Sequence, residues 1–206
     1  MTVHSDGNSS ARPDVHEIIE RGVAMTNRVV ENARAARRYW ASWEACNDRL
    51  KEGSSMRDAL RWHTPSGFGE IRDATATAAI LATLRVSEHP QRNTQSACAI
   101  SGILWNEAAV EVLTSHDWWD RTAIASAIVE YEITQQPKRI EWFRRHVPVG
   151  WGKGDVAPEE SDLAVSRQSL RKLRDSSIAH SLDREWDAPT IKMIRESVAL
   201  ALEIAK

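Results

Sequence analysis

The segment Arg174-Asp175-Ser176-Ser177-Ile178-Ala179-His180 brings a permanent cation, a carboxylate, small hydroxyl side chains and an imidazole into one short stretch. A guanidinium offers a planar fork of donors that fits phosphate oxygens, and an imidazole exchanges protons near neutral pH. On a regular helix of about 100° per residue, Ser166, Leu170, Leu173 and Ser177 share one stripe, with Arg174 and His180 on opposite shoulders of it. Those two lie roughly 120° apart around the helix and about 9 Å apart along it, so they cannot touch directly. Between them stand the small residues Ser177 and Ser181, leaving a notch that could accept a phosphate if another surface closes it. The alternative is structural: His180 packs against a carbonyl, and Arg174 pairs with a nearby carboxylate.

Two basic groups could position such a phosphate. Arg167 and Arg171 lie roughly 20 to 60° beyond Arg174 on the same side of the helix and extend its positive shoulder. Lys138, Arg139, Arg144 and Arg145 form the second group, beside Trp142 and Phe143, where stacking on single-stranded bases is conceivable. The first group is the favoured one.

Other motifs fail on inspection. Gly150-Trp151-Gly152-Lys153-Gly154 lacks the upstream glycine, the hydroxyl after lysine and the preceding strand of a phosphate loop. His16-Glu17 has no second histidine at the zinc-protease spacing, and the remaining histidines are scattered. No metal and no cofactor is expected. The chain is rich in tryptophan, with 9 in 206 residues, and Trp40 with Trp43 or Trp118 with Trp119 could stack bases. Their apolar helical surroundings favour packing instead.

The elements that must hold these residues are helical. Apolar positions from Val15 recur at helical spacing and predict a first helix reaching Leu50, followed by a short one over Met56 to Trp62. His63-Thr64-Pro65-Ser66-Gly67 reads as a stop before a helix from Ile71 to Glu88. Thr94 is expected to cap a helix running to Leu113, and another covers about Trp119 to Gln136. Pro137 opens a long irregular connection. Glu159-Glu160-Ser161-Asp162 begins the helix that carries the motif, and Asp187-Ala188-Pro189 begins the last. No segment shows the period of two that a strand needs. The fold class is therefore all-α: a single-domain helical bundle of about six to seven helices over residues 14–206, preceded by a flexible tail at 1–13.

Composition narrows the functions. With 42 % apolar and 27 % charged residues the chain can bury a core, and its net charge of −2 excludes a protein that grips nucleic acid along its whole length. Cys46 and Cys98 form neither a disulfide framework nor a zinc knuckle, which fits a reducing compartment. The N-terminus lacks the features of a signal peptide, and no apolar stretch is long enough for a bilayer, so a cytoplasmic location and no membrane partner are expected.

Arg174-Asp175, four residues and then His180 resembles the signature of the HEPN superfamily, which is arginine, a polar residue, four residues and histidine in a helical bundle. Ile178-Ala179-His180-Ser181 is similar to abortive-infection HEPN proteins of the AbiU type, and Ala78 to Arg85 with Thr94-Gln95-Ser96 resembles that family's middle region. The resemblance implies metal-independent endoribonuclease activity at a composite site, made by two facing motif helices of a homodimer. His180 would take the proton from a ribose 2′-OH or protonate the leaving 5′-oxygen. Arg174 would stabilise the phosphorane-like transition state, Asp175 would orient the arginine or the imidazole, and Arg167, Arg171 and Ser177 would contact RNA. The products would carry a 2′,3′-cyclic phosphate and a 5′-OH. Such a nuclease would serve as a toxin or anti-phage effector, held by an antitoxin or inhibitor protein. Two other readings stay open: a HEPN-like module that binds nucleotide, nucleic acid or protein without catalysis, and a helical scaffold.

Overall fold

Helix α1 (Val15–Arg49) turns Ile19, Gly22, Met25, Val29, Ala33, Ala36, Trp40 and Trp43 to one side at steps of three or four residues, giving a single buried stripe. In the computed structural model, which describes residues 14–49, 65–88, 95–115, 126–147, 162–179 and 188–206, this helix is the spine of the bundle. The tail at 1–13, the short helix at 56–62, Trp118, Trp119 and the glycine loop at 150–154 lie outside the described residues.

Helix α2 (Pro65–Val86) packs along α1 over the broadest contact between described helices. It begins at Pro65, not at Ile71 as the sequence predicts. Proline in the first helical turn forfeits only an N–H that has no partner there, so the expected stop is a start. Ala76, Ala79 and Ala82 share a buried cluster with Ala36, Trp40 and Trp43, and their small side chains leave room for the indoles. Trp40 and Trp43 stack with ring centroids 4.5 Å apart and are almost wholly buried, so packing, not base stacking, is their use.

The helix expected from Thr94 to Leu113 is two helices, α3 (Ala97–Leu104) and α4 (Glu107–Leu113). Gly22 makes room for α3: a Cβ there would stand 3.2 Å from Ile103 Cδ1. Asn106 causes the break, because its side chain accepts from Ala109 N at 3.2 Å and caps α4. The N-cap of α3 is Ser96; Thr94 lies outside the described residues. Buried Ser96 Oγ accepts from Ala99 N at 3.4 Å and donates to the Glu88 carbonyl at 2.7 Å, tying α3 to the chain leaving α2. Ser96→Ala loses both bonds and is expected to cost about 1–2 kcal/mol. The check is urea unfolding, where the midpoint should fall with the slope unchanged.

Helix α5 (Ser126–His146) continues through Pro137, where the sequence predicts an irregular connection. An interior proline costs roughly 3 kcal/mol, and docking of the distal half offsets it. Ile140 and Val147 are buried, Ser101 Oγ donates to the Val147 carbonyl at 2.9 Å, and Arg144 Nε donates to the Leu104 carbonyl at the end of α3 at 2.9 Å. Lys138, Arg139, Arg144, Arg145 and His146 consequently stand on a helix.

Helices α6 (Asp162–Ala179) and α7 (Ala188–Ile204) complete the bundle. α6 packs against α2 and α7, and buried Leu170 meets the cluster that contains Leu84, Ile194 and Val198. Among the described residues there are seven helices and no strand, and no helix is long and apolar enough to cross a membrane.

Candidate anion-binding site

The packing of α6 decides where its arginines point. Leu163 and Leu170 are buried, and Leu173 packs against the same core as Leu170, so this stripe faces inward. Arg167, Arg171 and Arg174 follow at i, i+4 and i+7, within about 60° of one another on one flank of the helix. Opposite them, α2 presents Leu81, Leu84 and Arg85, and Glu88 follows just beyond its end. These residues line an open cleft of about 300 Å³. Leu84 is buried and Leu81 is 37 % exposed, giving an apolar floor beneath four guanidinium groups and one carboxylate.

Arg174 Nε and Nη2 both donate to Asp175 Oδ1, at 2.8 and 2.7 Å. Adjacent helical side chains normally diverge by about 100°, so this pairing draws the guanidinium sideways along the helix and fixes its orientation. Arg167 is half-buried. Burial, and next the neighbouring Arg171 cation, hold its guanidinium below the ordinary arginine range; Arg174 adds to this, while Cys98 and Glu88 act in the opposite direction. The cluster thus concentrates like charge in a partly desolvated place, and an entering anion would relieve it. Arg85, Arg171 and Glu88 are exposed, and their side chains form no hydrogen bond or ion pair with another described residue.

Of the residues singled out from the sequence, Arg167, Arg171 and Arg174 converge on one cleft, and Asp175 stands beside them on Arg174. Ser177 lies on the backbone of α6, while His180 and Ser181 lie outside the described residues. The notch between Arg174 and His180 falls on residues outside those described, and the cleft against α2 is a separate feature on the arginine flank of α6. On the other shoulder, Ser166 and Ser169 line a separate groove of about 340 Å³ against α7. The rival basic group is largely committed elsewhere. Arg144 is bonded to the Leu104 carbonyl and lies 5.0 Å above the Trp105 ring, and Arg145 pairs with Glu141. Leu81, Arg85 and Glu88 were not recognised as site residues. Their spacing of four and then three residues, on a helix that also exposes Leu81, is the signal that could have found them.

Among the described residues no group of three or more His, Cys, Asp or Glu side chains is placed to hold a metal ion. A scan against protein-family models, a search of curated proteins and a search of solved structures each gave no match to this chain.

Proposed function

We propose that the protein is a metal-independent endoribonuclease that seats RNA phosphates in the arginine cleft, and that it acts as a toxin or anti-phage effector. The observation that carries this reading is the convergence of Arg85, Arg167, Arg171 and Arg174 on one cleft, with the motif arginine held by Asp175. Local concentration of cations in a chain of net charge −2 suits docking of one RNA segment over coating of a long duplex. In the reaction the ribose 2′-oxygen bonds to phosphorus and the bond to the 5′-oxygen breaks. His180 takes the 2′-OH proton or gives a proton to the departing 5′-oxygen, and Arg174 stabilises the charge that builds on the phosphoryl oxygens. Because a regular helix carried on through the motif would set Arg174 and His180 on opposite shoulders, the proposal places Arg174 of one chain against His180 of a second copy in a homodimer. An antitoxin or inhibitor protein would restrain the activity.

The Arg174–Asp175 pair also favours a second reading, since it gives the arginine a structural partner: a HEPN-like module that binds RNA without cutting it. Incubation with total RNA in EDTA separates the two. The nuclease reading expects cleavage to persist under chelation, with 2′,3′-cyclic phosphate ends, and to disappear in His180→Ala. Cutting that stops in EDTA and returns with magnesium contradicts it. RNA that is retained but left intact supports the binding module.

A further inference from the structure

The arginine cleft contains one group that an anion site would be expected to lack. Glu88 adds a carboxylate to a cleft lining that otherwise carries four guanidinium groups, near enough to Arg167 to act on its charge. A carboxylate there repels phosphate and weakens binding unless the ligand brings a donor to it. The main chain that carries it is tethered, because the Ser96 hydroxyl donates to the Glu88 carbonyl at 2.7 Å while capping α3. The carboxylate therefore extends from a tethered backbone into the cleft lining, with no hydrogen bond or ion pair to another described residue.

We propose that Glu88 is a specificity-determining residue that accepts a hydrogen bond from the ribose 2′-OH next to a phosphate held by Arg167 and Arg171, so that the cleft selects RNA over DNA. The sugar–phosphate backbone of RNA carries one kind of donor, the 2′-OH, and DNA lacks it. Against DNA, the carboxylate contributes repulsion alone. Against RNA, a charge-assisted hydrogen bond offsets that repulsion, and arginine and carboxylate together read a phosphate and its neighbouring sugar as one unit. Leu81 and Leu84 below them offer an apolar surface to the sugar or base face and read no base edge. This inference rests on the RNA-binding reading above.

The test is binding of 5′-labelled decauridylate and its deoxyuridine counterpart by fluorescence anisotropy. The full chain carries His180→Ala so that RNA is not consumed, and Glu88 is either native, Gln or Ala. With native Glu88, RNA should bind about tenfold tighter than DNA. Glu88→Ala should bring that ratio to about one while DNA binding stays equal or tightens, and Glu88→Gln should fall between. An RNA-to-DNA ratio that Glu88→Ala leaves unchanged overturns the assignment but leaves the cleft as a phosphate site. Equal binding of the two oligomers with native Glu88 overturns it as well. If neither oligomer binds, the RNA reading fails and takes this inference with it.

Discussion

Arg174→Ala and His180→Ala are each expected to lower the rate of RNA cleavage by about 10²–10⁴-fold, the range for loss of a positioned proton-transfer group or a donor to a developing oxyanion. The two losses should differ in kind. In the proposed reaction His180 would move a proton, so its removal should reduce turnover with little change in RNA affinity, and the residual rate should lose its dependence on pH near neutrality. Arg174 lines the arginine cleft, so on the proposed reading its removal should weaken binding as well as turnover. Asp175 pairs with Arg174, so on the proposed reading Asp175→Asn should retain part of the activity, because an amide oxygen can still accept from the guanidinium. Neither α6 change removes a fully buried side chain, since the Arg174 and Asp175 side chains are 35 % and 62 % exposed, so these two variants should keep their thermal stability. If His180→Ala cuts at the native rate, the imidazole is structural and the nuclease reading is wrong.

The helical class and most helix positions were legible in the sequence, because long amphipathic periodicity survives the local details. The stripe of α1 from Ile19 to Trp43 and the motif helix α6 are the clearest cases. Punctuation residues misled the reading where tertiary packing outweighed local preference. Pro65 starts a helix instead of following a stop, and Pro137 is carried inside α5 because Ile140, Arg144 and Val147 dock beyond it. Asn106 had the opposite effect, splitting an apolar run that looked continuous. The site was half legible. Arg167, Arg171 and Arg174 follow from helix geometry alone, but Arg85 and Glu88 are more than 70 positions away in the chain, and only the packing of α2 on α6 brings them in. No spacing rule within one helix contains that information.

The second large effect concerns phosphate positioning. Arg167→Gln with Arg171→Gln removes two of the cleft's four cations while keeping most of the apolar stem of each side chain, so helicity should be unchanged. RNA affinity should fall tenfold or more at about 0.1 M salt. The same substitutions at Arg144 and Arg145 should cost much less binding, because those guanidinium groups already serve the Leu104 carbonyl and Glu141. A surface ion pair such as Arg145–Glu141 adds little stability, whereas loss of the Arg144 bond frees a helix-end carbonyl, so that double variant should show its effect in unfolding instead. The most direct measurement is therefore the salt dependence of single-stranded RNA binding, taken side by side for the native chain and the two double variants. Each lost single-strand phosphate contact lowers the slope of log K against log salt by about 0.7, so the Arg167/Arg171 variant should show a slope shallower by about 1.4 and the Arg144/Arg145 variant should follow the native line. A native slope in the Arg167/Arg171 variant, with the decrease appearing on neutralising Arg144 and Arg145, would contradict the arginine cleft as the RNA site.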